Sequence, residues 1–413
     1  MSEPQPAASA SPAANPPAAD DPYLWLEEID SAPVRAWVGA RNRDTMAALG
    51  DAQFEADRKL ILDILDADDR IPWIAQRGTQ VYNFWQDGEH RKGLWRRTTL
   101  ARYRGTDPAW ETLLAIDLLA ESEGEDWVWH GCTTLPPEHR YGLLQLSRSG
   151  ADAAVTREFD LQQKRFVEGG FYLPEAKGGA AWLDIDTLLV NSALGGAEFQ
   201  TTSGYARTVR RLRRGTPLES APVIFECERD HMAAWGGHDH GPRYPRSLYR
   251  RQIDFVHHED YIEQGGAGPI RLDIPTDAHF SVERDWLVLN LRTDWTIGSR
   301  TYPAGALLVA SLAAFLAGAR DFAVLFEPSP RRFLQGFTIA GDVIAFDVLD
   351  NVRSRIFLAQ FAQGEWHCEP VSGFSDQSTL DISPLALDDD EWFADSARDR
   401  GVFVVAAQSS VTP

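Results

Sequence analysis

Cysteine is scarce in this chain: Cys132, Cys227 and Cys368 are the only three in 413 residues. They lie far apart, without the paired spacing of zinc sites and without an even count for a disulfide framework, so reduced structural thiols are expected. Lysine is scarcer than arginine by far, with four residues among 40 basic ones. None sits in a glycine-rich Walker segment and no dinucleotide fingerprint occurs, which excludes a phosphate loop. Positive charge as a whole is short, since 61 acidic residues leave a formal charge of -21. Such a surface repels nucleic-acid phosphates and anionic lipid, so neither is an expected partner; it favours solubility and, in a sharper reading, cationic peptides. The uncharged run AGALLVASLAAFLAGA at 304–319 is sixteen residues long, short of the ~20 that a membrane-spanning helix needs. It predicts a buried strand over 307–312 followed by a short helical turn. The first twenty residues, rich in Ala, Pro and Ser, have neither the basic n-region nor the apolar h-region of a secretory signal. They are expected to form a disordered tail on a cytoplasmic protein.

What is abundant is aromatic: 14 Trp, 20 Phe and 10 Tyr, a load that fits a globular chain with a substantial core. After the tail, Ser31 followed by Pro33 predicts a capped helix with Val34, Trp37, Val38, Arg41 and Thr45 on one stripe. A second helical pattern carries Phe54, Arg58, Ile61, Leu62 and Leu65 and ends in the acidic run before Ile71-Pro72. Two helices with apolar stripes and no others to bury them imply docking onto something else. Residues 21–75 are therefore read as a helical arm.

Beyond Pro72 the texture changes to short strands separated by Gly, Pro, Asp and Asn, which predicts an all-β fold. Cutting at each new strand group gives seven segments, 81–119, 127–167, 182–226, 247–274, 280–327, 333–371 and 380–412, close to the ~40–50-residue period of propeller blades. The expectation is a β-propeller over 76–413, seven-bladed, preceded by the short arm, with an incomplete last blade. Ser149-Gly150-Ala151-Asp152 reads as a hairpin turn joining LLQLS to AVTREFD.

The most informative stretch starts at Val81: VYNFWQDGEHRKGLWRRTTLARYRG, two Trp-rich strands joined through Gly88, then a basic strand and a strand led by Trp110. With DPYLWLEE at 21–28 and GGFYLPEAKGGAAWLDIDTLLV from Gly169, it resembles the amino-terminal half of bacterial prolyl oligopeptidase-type serine peptidases. The resemblance covers nearly everything after the tail. It implies hydrolysis of short proline-containing peptides after proline, by a serine activated through histidine and aspartate, with the propeller covering the site. It also implies a hydrolase domain as partner, in cis or as a separate chain. The Gly-x-Ser-x-Gly elbow of such a domain is absent here; Ser147-Arg-Ser149-Gly150 and Gly373-Phe-Ser375-Asp376-Gln377 each lack a flanking glycine. No βα alternation accompanies them. The chain is read as the substrate-gating part, a fragment or one half of a split gene, inactive alone, and no catalytic, cofactor or metal residue is assigned. The alternative is a stand-alone propeller binding peptides or a partner protein.

Weaker signals are weighed beside this one. His231, His238, Asp239 and His240 invite zinc or nickel, but their glycines and Pro242 predict a loop between blades, and no metal or other cofactor is expected. His257-His258-Glu259 reads as a solvated strand end. Carboxylates for a glycosidase would be Asp184 with Asp186, alternating along a strand, Glu226 with Glu228, or Asp388 to Glu391; turn aspartates are the commoner explanation. The pairs Arg96-Arg97, Arg210-Arg211, Arg213-Arg214, Arg250-Arg251 and Arg331-Arg332 are expected on outer strands, paired with carboxylates, or as a charged ring around the channel.

Overall fold

The structure, a computed structural model, describes residues 21–28, 31–241, 243–266, 268–385 and 403–409. The tail at 1–20, Pro242, the acidic run at 388–391 and residues 412–413 lie outside that set. Met1–Asp69 and Arg70–Pro413 form two compact units.

In the first unit the helix Ala32–Leu49 begins where Ser31 accepts a hydrogen bond from the Val34 amide at 3.4 Å, with Pro in the first turn, and it stops at Gly50. Asp51 caps the second helix, Ala52–Leu65, by accepting from the Phe54 amide at 2.9 Å. Trp37 is flanked by Trp25 and Tyr23, with ring centroids 6.3 and 6.5 Å away, and by the Arg41 guanidinium at 5.8 Å. Of the two predicted stripes only Val34 is buried; Trp37, Val38, Phe54, Ile61, Leu62 and Leu65 are exposed. Among the described residues no helix is long and apolar enough to cross a membrane.

Among the described residues the second unit holds seven antiparallel sheets in succession, spanning 75–115, 127–176, 178–226, 233–271, 279–326, 332–370 and 378–409. The first six have four strands in chain order, the second sheet adding a fifth and the fifth sheet a small hairpin; the seventh has two strands, Ser378–Pro384 and Phe403–Ser409, among the described residues. Second strands are sandwiched on both faces and between two neighbours, so they read as continuous apolar runs. Thr187–Ser192 and Val343–Asp350 show this, the former buried throughout. Each sheet packs on the next. Tyr82 and Trp95 meet Leu144 and Phe159, Leu143 meets Trp182 and Leu188, and Val209 meets Ala234 and Tyr249. The series continues with Ile262 on Leu289, Leu307 on Ile344, and Ile356 on Leu380. It then returns to its start, because Leu385 and Val404 pack on Ile74 and Val81 and the Gln76 amide donates to the Leu385 carbonyl at 2.8 Å. A succession of sheets whose last member packs on its first is a β-propeller of seven blades.

The segmentation expected from sequence corresponds to these sheets, with the fourth as the main exception. Its first strand is Ala233–Asp239, the segment expected to be a loop, paired residue for residue with Arg246–Gln252. The basic stretch after Thr99 is likewise a helical turn, Leu100–Tyr103, rather than a strand. The 304–319 run resolves into the strand Leu307–Ser311 and the helical turn Leu312–Leu316, as its pattern predicts. Ser149 and Gly150 take positive φ values of 54° and 78° in the predicted hairpin turn.

One buried acid marks the contact between the sixth and seventh sheets. Burial pushes the Asp347 carboxyl up to about 6; the Asp381 charge adds to this and the Gly336 amide opposes it. A raised carboxylate pKa means that the folded state holds more protons than the unfolded state between about pH 4 and 6, so this group's contribution is full below pH 4 and lost as pH rises through 6. Asp347→Asn is expected to be more stable than the parent by about 1–3 kcal/mol at pH 7.5, with the difference vanishing near pH 4. Urea unfolding of both proteins across that range measures it; a constant difference would contradict the assignment.

Candidate peptide-binding surface in the channel

The first strand of the fourth sheet reads Ala233-Ala-Trp-Gly-Gly237, one indole between two pairs of small residues. Strand alternation puts Ala234 and Gly236 on one face and Ala233, Trp235 and Gly237 on the other. The first face must be small: Ala234 is buried against Val209 and Tyr249, and a Cβ on Gly236 would lie 2.7 Å from a Val209 methyl. On the second face Ala233 is buried, but Trp235 stands open. Trp235 is 50% exposed, and with only small neighbours it stands between two hollows. One is lined by His130, Lys177, Gly178, Asn191, Tyr205 and Trp235. The other, of about 530 Å³, is lined by Tyr205, Trp235, Gly237, Leu248, Phe255 and Phe280 among others. His130, Gly178, Trp235 and Phe280 belong to the first strands of four consecutive sheets. Edges that converge on shared hollows in this way are the inner edges of the ring, so this surface faces the channel.

Tyr205 reaches both hollows from the connection between the second and third strands of the third sheet. That connection is anchored underneath by Arg210, which is fully buried, donates to the Ser192 and Leu194 carbonyls at 3.3 and 2.8 Å, and stacks on Phe199 at 4.3 Å. Burial lowers the Arg210 pKa, opposed by the charges of Glu219 and Glu198. Thr201 ties the same connection to the fourth sheet by donating to the Met232 carbonyl at 3.1 Å. Lys177 lies 4.5 Å from the Tyr205 ring centroid. At the wall of the larger hollow, Arg250 donates through Nε to Asp260 at 2.6 Å, and His258 Nδ1 pairs with the other Asp260 oxygen at 2.6 Å. His258 is thus a buried hydrogen-bonding partner of Asp260, correcting its reading as a solvated strand end. Phe255 tops the neighbouring turn, 90% exposed. Asp254 shapes that turn by accepting from the Val256 and His257 amides at 2.7 Å each; hydrogen bonds from His257 first, then Val256, hold its carboxyl down at about 2.

The remaining candidates are spent elsewhere. His238 pairs with Ser247 at 3.0 Å, and burial, with the neighbouring His240, lowers its pKa to about 4. His240 meets the Trp182 carbonyl at 3.1 Å, and Asp239 pairs with Arg246 at 2.8 Å. Among the described residues no group of three such side chains could hold a metal. Asp184 ends its strand and caps the Asp186 amide at 2.8 Å, so the two sit on a turn rather than alternating along a strand. Asp186 pairs with Arg214 and Glu226 with Arg207, while Asp388 to Glu391 fall outside the described residues. Apart from Arg214 and Arg331, which lie just beyond strand ends, the paired arginines sit on first, second and third strands, not outermost ones. Five of the ten pair with carboxylates, Arg97–Glu111, Arg214–Glu158, Arg250–Asp260, Arg251–Glu259 and Arg332–Asp350, while Arg96 donates to Asn83 and Arg210 to backbone carbonyls. Three hydroxyl–imidazole pairs occur among the described residues, Ser147–His130, Ser247–His238 and Thr134–His139. The imidazole–carboxylate pairs use His90, His257 and His258 instead, so the two sets share no histidine.

The family model described as prolyl oligopeptidase, N-terminal beta-propeller domain, matches residues 6–239. An uncharacterized peptidase of Sinorhizobium fredii is 35% identical over 387 residues, 91% of this chain and 53% of the relative. An uncharacterized peptidase of Rickettsia prowazekii is 25% identical over 360 residues, 83% and 50% respectively. Among solved structures, a post-proline cleaving enzyme from Rickettsia typhi superposes with a TM-score of 0.83 at 23% identity, over 94% of this chain and 57% of that one. Oligopeptidase B of Leishmania major gives 0.64 at 13%, over 88% and 50%. The structural likenesses carry the fold alone. The chain spans about half the length of the curated relatives it matches.

Proposed function

Since the chain belongs to the prolyl oligopeptidase family of peptidases, in its N-terminal β-propeller part, we propose that it is the substrate-gating half of a serine peptidase that cleaves short peptides after proline. A hydrolase domain, in cis or on a separate chain, supplies the serine, histidine and aspartate. The observation that carries this reading is the channel surface around Trp235. It is open and aromatic, and the hydroxyl–imidazole pair at its edge, Ser147–His130, has its serine fully buried, which suits a passage for peptides better than a place of bond cleavage. Topology adds support. In up-and-down sheets the start of the first strand and the turn between the second and third strands share a rim. The rim by which the chain enters the ring at Ala75 is therefore the rim that carries Tyr205 and Phe255. A hydrolase domain tethered at that entry would lie beside the hollows. A ring whose described closure is an apolar seam with the Gln76–Leu385 backbone hydrogen bond admits short flexible peptides and keeps folded proteins out.

The test is a fusion of this chain to the unmatched remainder of the Sinorhizobium relative. It is expected to cleave an octapeptide containing one proline at least about a hundredfold faster than the same sequence displayed on a folded protein. Equal rates on the two substrates would remove the gating role.

A further inference from the structure

We propose that the larger hollow, bounded by Tyr205, Trp235, Phe255 and Phe280, is a docking site for an apolar, proline-bearing segment of the substrate peptide, separate from the site of cleavage. The proposal rests on the gating reading and adds to it a place and a chemistry. The hollow's volume of about 530 Å³ lies within the ~300–1,000 Å³ that ligand pockets occupy. Its exposed aromatics are out of keeping with ordinary surface: Trp235 is 50% and Phe255 90% exposed, large apolar area that stays wet unless something covers it.

The polar groups decide what can cover it. Asp260 is the one carboxylate in the lining, and both its oxygens are already taken by Arg250 and His258. A lysine or arginine on the ligand therefore meets a carboxylate whose charge is already offset by Arg250 and whose oxygens each hold one partner. Arg250 spends its Nε on Asp260, and its terminal nitrogens keep further N–H groups for a carbonyl oxygen. Beside its aromatic faces the hollow thus offers the Arg250 N–H groups, with Gln252 and Tyr205 as further polar groups. Proline matches that offer: its pyrrolidine ring packs flat on an indole or phenol face, its amide brings a carbonyl, and it carries no N–H that would need an acceptor. An extended proline-containing peptide also loses little conformational freedom on binding.

Gly237 supplies a sharp probe. It lines the hollow, its φ is not in the positive region, and a Cβ placed there meets nothing within 4 Å. Gly237→Val therefore adds bulk to the hollow from a Cβ position that is itself unobstructed. The experiment is fluorescence anisotropy of a fluorescein-labelled (Ala-Pro)4 octapeptide titrated with the purified 413-residue chain. Saturable binding is expected, weakened at least about tenfold by Trp235→Ala, as for a central aromatic anchor. Gly237→Val is expected to weaken it to a similar degree with an unchanged thermal midpoint, while Trp235→Phe stays within about threefold. An octa-alanine peptide should bind at least about tenfold more weakly than the proline form.

Absence of saturable binding up to millimolar chain, or binding that neither Trp235→Ala nor Gly237→Val alters, overturns the site. The gating reading is judged independently by the size discrimination of the fusion. Variants that discriminate normally but bind the peptide as the parent does would sink the docking site alone. A fusion that cuts folded protein freely, while Trp235→Ala abolishes peptide binding, would sink the gate alone.

Discussion

Replacing Gly178 by alanine is expected to lower the unfolding free energy by about 2–6 kcal/mol, a large part of the 5–15 kcal/mol typical of a folded domain. Gly178 opens the first strand of the third sheet opposite Ser192, with φ at +122°. A Cβ there would lie 2.0 Å from the Asn191 carbonyl oxygen and 2.9 Å from the Ser192 Cα. Both obstacles are backbone, so no side chain can swing aside. The left-handed conformation itself costs an L-residue about 1–3 kcal/mol, and pushing the paired strand away adds about 1–3 kcal/mol of overpacking strain. Gly237→Ala, one sheet further on and facing open space, is the matched control and should change stability by less than about 1 kcal/mol. Chemical unfolding of the two variants measures the contrast. Equal midpoints would show that the strand can yield at Gly178.

The second large effect concerns the ion pair that joins the second and third sheets. Glu158 is buried, its side chain only 1% exposed, and takes hydrogen bonds from Arg214 at 2.7 and 3.2 Å and from the Phe171 amide at 2.8 Å. The Arg214 guanidinium also lies 4.3 Å from the Phe171 ring centroid, so one side chain closes both the charge and the packing of this junction. Removing it leaves a carboxylate out of water with a single amide donor. Arg214→Ala is expected to cost about 3–5 kcal/mol, as for other broken buried pairs. Glu158→Gln should cost less, because the amide keeps an acceptor for Phe171 and carries no charge. In the double variant Glu158→Gln with Arg214→Met, much of the Arg214 loss should return. A single Arg214→Ala variant within about 1 kcal/mol of the parent would mean that the pair holds nothing together.

The sequence made the ring legible wherever strands announce themselves by continuous apolar character. Segments such as Thr187–Ser192 and Leu307–Ser311 are enclosed on every side, and burial leaves its mark in composition. The first strand of the fourth sheet escaped because nothing local makes Ala-Ala-Trp-Gly-Gly a strand. It becomes one through pairing with Arg246–Gln252 and through the close approach of Gly236 to Val209, both long-range facts. The same blindness affected charge. A pair of arginines looks like surface in one dimension, yet Arg210 is fully buried beneath its own connection while Arg213 on the same strand is exposed. The channel surface was missed for a related reason. Its signal was present as one large aromatic among residues too small to cover it, but only the ring brings Tyr205, Phe255 and Phe280 to its side.

The most direct measurement of the central claim is the turnover of a fluorogenic proline-containing peptide by the purified 413-residue chain, read together with peptide binding under the same conditions. The account predicts that the peptide binds and remains intact at every concentration of chain. Hydrolysis that scales with the chain and stops on addition of a serine-reactive phosphonate would contradict it.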